Sequence, residues 1–155
     1  MTSSPRVPAG RVGVLVSRYN ETVTERLLAG AEACLRERGV PAAAVDVVRV
    51  PGAWELPFAA RVLAARGGYA AVVALGAVIR GETAHFDFVA GEASRGLMDV
   101  ALHDGVPVGF GLLTCDTLAQ ALARSGGDAG NKGYEAVAAA LDAATAAPRA
   151  DADPR

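Results

Sequence analysis

The sequence predicts an α/β protein: a three-layer αβα sandwich built around a four-stranded parallel sheet. Three observations carry that prediction. Four short apolar runs, rich in valine, read as strands buried on both faces. A longer stretch with helical spacing follows each run, and this alternation is the pattern of parallel strands joined by helical crossovers. Glycine, proline and asparagine punctuate the boundaries.

The elements follow in order. Arg11 to Val16 is the first strand, ending in Ser17-Arg18-Tyr19-Asn20. Asn20 or Thr22 is placed to cap a helix whose Val23, Leu27, Ala31 and Leu35 share one face; Gly39 closes it and Pro41 discourages continuation. Val45 to Val50 is the second strand, followed by the turn Pro51-Gly52 and a helix from Glu55 or Leu56 to Arg66. Ala70 to Leu75 is the third, leading through Gly76 into the segment 77–85. A helix then spans Asp87 to Leu102. Val106 to Leu113 is the fourth strand, and Asp116 or Thr117 caps a short helix holding Gln120 and Arg124. Ser125 to Gly130 reads as a glycine-rich loop, and Asn131 to Ala147 as a final alanine-rich helix. Residues 11–147 are expected to form one domain, with an N-terminal arm (1–10) and a flexible C-terminal tail (148–155).

Composition narrows the function. The 155 residues are 52% hydrophobic and 21% charged, with a formal net charge of -2. That balance excludes a disordered chain and a strongly basic nucleic-acid binder. No apolar run is long enough to span a membrane, and residues 1–10 hold no apolar signal core, so the expected location is cytoplasmic. Two cysteines (Cys34, Cys115) and two histidines (His85, His103) are too few and too scattered for a disulfide framework or a metal centre. Thirty-four alanines against four phenylalanines and one isoleucine predict a lightly built core, helped by close helix packing or subunit association.

In sheets of this kind ligands sit beyond the carboxyl ends of the strands. Four segments therefore hold the candidate residues. After the first strand, Tyr19 either stacks on a planar ligand or covers a helix end. After the second, Pro51-Gly52-Ala53-Trp54-Glu55 offers backbone groups to a ligand edge. Glu55 there is either a favourable helix-start charge or an acceptor for polyol hydroxyls. After the third, Arg80-Gly81-Glu82-Thr83 is a candidate anion nest with His85 directly behind it. His85 is a candidate proton-transfer residue or an ordinary helix-start histidine. The last region holds Phe110, Arg124 and Lys132. Lys132 is the only lysine beside fourteen arginines and stands at a helix start, where a ligand anion explains a cation better than helix stability does. Walker, dinucleotide-fingerprint and Gly-x-Ser-x-Gly patterns are all missing. The unaided reading is phosphate binding, one proton-transfer residue and aromatic stacking.

Four pieces, in order, carry a resemblance: Val50-Pro51-Gly52-Ala53-Trp54-Glu55-Leu56-Pro57, Gly76-Ala77-Val78-Ile79-Arg80-Gly81-Glu82-Thr83-Ala84-His85-Phe86-Asp87, Phe110-Gly111-Leu112-Leu113-Thr114 and Gly130-Asn131-Lys132-Gly133. Together they resemble the lumazine synthases of riboflavin biosynthesis, over nearly everything from Val12 to Leu141. The resemblance implies a flavodoxin-like fold whose sheet a neighbouring subunit's N-terminal strand can extend. It implies condensation of 5-amino-6-(D-ribitylamino)uracil with 3,4-dihydroxy-2-butanone 4-phosphate to 6,7-dimethyl-8-ribityllumazine, phosphate and water, without metal or other cofactor. By the same resemblance Tyr19 stacks on the pyrimidine, with Asn20 beside it. Backbone groups around Ala53, Trp54, Val78 and Ile79 meet the ring edge, and Glu55 holds ribityl hydroxyls. Glu82, Thr83 and Arg124 bind the phosphate, His85 moves protons, and Phe110 and Lys132 line the ribityl and phosphate region.

The resemblance further implies a homopentamer with active sites at its subunit interfaces, Arg124 facing Tyr19 and His85 of a neighbour. The short segment Ser125 to Asn131 resembles that of relatives forming sixty-subunit icosahedral shells, for which riboflavin synthase is a candidate cargo. Two other readings use the same scaffold: a specialised paralogue with a different amine substrate, and a non-catalytic ligand-binding shell protein.

Overall fold

The computed structural model describes residues 7–148; the outer parts of the expected arm and tail, residues 1–6 and 149–155, lie outside the described residues. Four parallel strands form the sheet: β1 (Arg11–Ser17), β2 (Val45–Val50), β3 (Tyr69–Ile79) and β4 (Val108–Cys115), in the order β2-β1-β3-β4. Five helices accompany them: α1 (Glu21–Glu37), α2 (Leu56–Arg66), α3 (His85–Asp104), α4 (Leu118–Ala123) and α5 (Lys132–Ala146). The expected αβα sandwich is the architecture observed.

Alternation along the strands sorts the core into two layers. Val12, Val14 and Val16 pack with Val23, Leu27 and Ala31 of α1 and with Ala136, Val137 and Ala140 of α5. Leu15, Val72 and Ala74 face the other way, onto Leu56, Ala60 and Leu63 of α2 and Ala93, Leu97 and Val100 of α3. Valine, leucine and alanine fill both layers, so the core is as lightly built as the composition implies. Small side chains let the helices approach closely, and contact area replaces bulk.

Several boundaries differ from the expected ones. β3 does not stop at Leu75 but runs through Gly76 to Ile79, pairing with β4 as far as Cys115. Gly76 looks like a break in the sequence, yet Ser17, Leu112 and Leu56 close in around it, leaving no room for a side chain. β4 begins at Val108 rather than Val106, since Pro107 has no N–H for the ladder and contributes only its carbonyl, to Val72 N at 2.9 Å. The segment 125–131 is a miniature antiparallel hairpin, β5 (Ser125–Gly127) and β6 (Gly130–Asn131), rather than an open loop. Among the described residues no helix is long and apolar enough to cross a membrane.

Candidate active site

The carboxyl ends of β1 and β2 are stitched together by main-chain bonds. Arg18 N donates to Val50 O at 2.9 Å, and Tyr19 N donates to Pro51 O at 3.0 Å. This fixes the Tyr19 ring across the backbone of Gly52, where an added Cβ would lie 2.5 Å from the ring. Only glycine permits so close an approach. Asn20 follows in the left-handed conformation, φ 63°. Its side chain does not cap α1 as the sequence suggests; the amide reaches across to the Ala77 carbonyl at 2.9 Å and ties the β1 turn to β3. Thr22 lies inside α1, beyond the capping position.

Ala53, Trp54 and Glu55 form one 3-10 turn ahead of α2. The half-buried Glu55 carboxylate turns back to accept the Gly52 N–H at 2.9 Å, which supports the turn that carries Tyr19. Tyr19, Gly52, Ala53, Trp54 and Glu55 line an open cleft of about 510 Å³, closed on the far side by His85, Phe88 and Val89 of α3. Tyr19 is 65% exposed and Trp54 58%, so both rings are available to a ligand. This cleft brings an aromatic platform, a carboxylate and an imidazole together.

His85 is the first residue of α3, two positions earlier than the expected helix start. The preceding turn is shaped by Thr83, whose hydroxyl accepts the His85 N–H at 3.3 Å. Arg80 anchors it: the main-chain N–H donates to Cys115 O at 2.8 Å and Nε donates to Asp116 at 2.9 Å. Its guanidinium also pairs with Asp87 at 3.3 Å and lies 4.4 Å above the Phe86 ring. The Asp116 hydrogen bond holds the Arg80 guanidinium more firmly protonated than usual. Val78 and Ile79 end β3 half-buried, and Glu82 and Thr83 are exposed on the turn; none of the four lines the Tyr19–His85 cleft.

A second cleft, of about 450 Å³, opens beside the edge strand β4. Phe110 and Thr114 of β4, Gln120 of α4, Arg124 behind it, and Lys132 and Glu135 of α5 line it. Thr117 caps α4 through a reciprocal pair with Gln120, as its sequence position suggests. The Arg124 guanidinium donates to Gln120 O at 3.0 Å, and Lys132 is the first residue of α5. The two cations that the sequence singled out therefore share one cleft. Cys115 lines it too, but burial pushes its thiol pKa up, which keeps it a neutral thiol near pH 7.

Sequence reasoning gave no role to several lining residues, Phe88, Val89, Gln120 and Glu135 among them. Phe88 and Val89 follow His85 by three and four positions, about one helical turn, and Glu135 follows Lys132 by three, spacings that put them on one face. Gln120 was noticed only as part of its helix. The two clefts share no lining residue: Tyr19, Glu55 and His85 border one, while Phe110, Arg124 and Lys132 border the other. Among the described residues no group of three or more His, Cys, Asp or Glu is arranged to hold a metal ion.

The fold and these clefts define an α/β protein of flavodoxin-like architecture, with ligand-sized hollows at the carboxyl ends of its parallel strands. Residues 9–147, most of the chain, match the family model described as 6,7-dimethyl-8-ribityllumazine synthase. The chain belongs to that family.

Proposed function

We propose that this chain condenses 5-amino-6-(D-ribitylamino)uracil with 3,4-dihydroxy-2-butanone 4-phosphate, forming 6,7-dimethyl-8-ribityllumazine, phosphate and water. The observation that carries the reading is the division of labour between the clefts. An aromatic ring, free backbone edges and a carboxylate suit a pyrimidine with a polyol arm; paired cations suit a phosphate. Both substrates react at once, so both sets of groups must face one space. A second copy of the chain supplies that condition, its Arg124 and Lys132 meeting the Tyr19–His85 cleft of the first.

Exposed apolar residues support such a contact. Trp54 and Phe88 line the first cleft, and Met98 shares a hollow with Phe110, which lines the second; Phe58 and Leu102 are exposed as well. Two different patches that complement one another make a head-to-tail interface, which closes into a ring when its rotation divides a full turn. We assign that ring as a pentamer, formed in the cytoplasm. The Ser125–Asn131 segment is short, as in the shell-forming relatives it resembles, and on that resemblance we assign packing of rings into a sixty-subunit shell with riboflavin synthase as cargo; mass in solution and co-purification test these assignments.

The chemistry follows from the groups. The 5-amino nitrogen attacks the ketone, and loss of water gives an imine. A proton leaves the carbon beside the imine and phosphate departs from the next carbon, giving an enol that tautomerises to a ketone. The ribityl-bearing nitrogen then attacks this ketone, and a second dehydration closes the ring. His85 transfers protons in the imine and elimination steps. Arg124, Lys132 and Thr83 hold the phosphate and stabilise it as it leaves. The amine is already nucleophilic, so much of the acceleration comes from juxtaposing the two reactants.

The experiment is an absorbance assay of lumazine formation with purified protein, against the slow uncatalysed condensation. Saturable turnover well above that background is the expected result. A rate equal to the background from folded, assembled protein overturns the reading and turns attention to another amine substrate or a catalytically silent shell.

A further inference from the structure

Arg26 lies on α1, far in sequence from the cationic cleft, yet its guanidinium bonds to the backbone on either side of Arg124, which lines that cleft. Nε donates to the Ser125 carbonyl at 3.0 Å and Nη2 to the Leu122 carbonyl at 3.1 Å. These two carbonyls bracket Arg124. The Leu122 carbonyl stands in the last turn of α4, where a helix end favours a cation, and it also accepts the Ser125 hydroxyl at 3.3 Å. Asn131 closes the latch from the other side. Its amide donates to the Arg26 carbonyl at 3.0 Å, while its Oδ1 accepts the N–H groups of Gly133 at 2.9 Å and Tyr134 at 3.1 Å. Gly30, one turn further along α1, leaves room for the Asn131 side chain; any Cβ there would collide with it.

Helix α1 thus grips both feet of the segment that carries the two cations, just before Lys132 and on either side of Arg124. Ser125 is 1% exposed, so the carbonyl taken by Arg26 belongs to a residue shut away from solvent. Main-chain bonds from the Ala129 N–H to the Ala123 carbonyl at 2.9 Å and from the Lys132 N–H to the Arg124 carbonyl at 2.8 Å close the hairpin on itself and on α4, and the Arg26 and Asn131 bonds fix that unit against α1.

We propose that Arg26 is a positioning residue for phosphate capture: by spanning the Leu122 and Ser125 carbonyls it sets where Arg124 and Lys132 stand. The proposal rests on the reading of the β4 cleft as the phosphate end of the site. The planar fork of arginine reaches two carbonyls at once from a fixed geometry. A lysine of the same charge is a point donor and holds them less firmly.

The test measures steady-state constants for Arg26→Lys, Arg26→Met and Arg124→Ala beside the unsubstituted protein, with inorganic phosphate as a competing inhibitor. Arg26→Met is expected to raise the KM of the phosphorylated ketone and the inhibition constant of phosphate by about 10-fold, as misplacement of a binding group from a distance does. The KM of the uracil stays within a factor of about two, and Arg26→Lys falls between. Equal rises for both substrates, or a loss in kcat alone, overturn the proposal. Should Arg26→Met fail to fold, Arg26→Lys gives the readout; failure of both makes Arg26 a general structural residue and also overturns it. If Arg124→Ala leaves the phosphate constants unchanged, the phosphate reading itself fails. If Arg124→Ala raises them and neither Arg26 variant does, only the Arg26 proposal fails.

Discussion

Lys132 donates its main-chain N–H to the carbonyl of Arg124 at 2.8 Å, so the two cations of the β4 cleft are joined through the backbone. One rigid bridge therefore presents both charges. Arg124→Ala removes a charge without disturbing that bridge. Its KM for the phosphorylated ketone should rise by about 10- to 100-fold, the loss of about 1.5–3 kcal/mol expected for hydrogen bonds to a charged group. The KM for the uracil should change little. Equal effects on both substrates in initial-rate measurements contradict the assignment.

His85 sits on the first turn of α3, held by Thr83 behind it, and no core contact depends on its ring. His85→Ala should lower kcat by about 10- to 100-fold while light scattering reports an unchanged particle. An unaltered kcat means that solvent or the departing phosphate moves the protons.

Gly52 and Tyr19 offer a steric test of the ring platform. The Gly52 backbone is extended, φ −143°, so alanine meets no conformational strain there. Gly52→Ala instead pushes a methyl group into the Tyr19 ring. The expected outcome is a higher KM for the uracil, with the phosphate constants unmoved and the thermal midpoint within a few degrees. A variant with unchanged uracil KM argues that Tyr19 is not the platform.

At the opposite end of the sheet Asp46 accepts Arg11 Nε at 2.7 Å, Arg11 Nη2 at 2.6 Å and the Tyr69 hydroxyl at 2.8 Å. The Arg11 hydrogen bonds, then the one from Tyr69, hold its pKa down to about 2. A carboxylate depressed by folding stabilises the native state fully above its unfolded pKa of about 4, and that contribution fades as pH falls toward 2. Acid unfolding between these limits should therefore be shallower in Asp46→Asn than in the unsubstituted protein, by denaturant titration at each pH. Salt should reduce the difference, because the pair is partly exposed. Identical pH profiles exclude the contribution.

Much of this was legible in the sequence because local signals and tertiary demand agree. The α1 stripe Val23, Leu27, Ala31, Leu35 is buried in full, and Thr117, a cap candidate by position, caps α4; Asn131, expected inside the last helix, instead caps α5. Legibility failed where a neighbour overrides a local cue. Gly76 is a breaker in one dimension and a packing residue in three, so local spacing ends β3 too early. Asn20 carries a capping side chain, but the Ala77 carbonyl competes for it successfully. Arg26 gives no sequence signal, since its partners lie about a hundred positions away. The four ligand segments were found by a topological rule that needs only strand order. Their partition into two clefts depends on β4 being an edge strand, which spacing does not reveal.

The central claim is that each active site takes His85 from one chain and Arg124 from the next. Co-expression of His85→Ala with Arg124→Ala chains, carrying different tags and purified as mixed particles, tests it directly. Each variant alone should be nearly inactive at low ketone phosphate. In a random equimolar assembly a site draws an intact His85 in half the cases and an intact Arg124 in half, so about a quarter of the unsubstituted activity should return. Activity no greater than the average of the two separate variants means that both residues act within one chain, and contradicts the account.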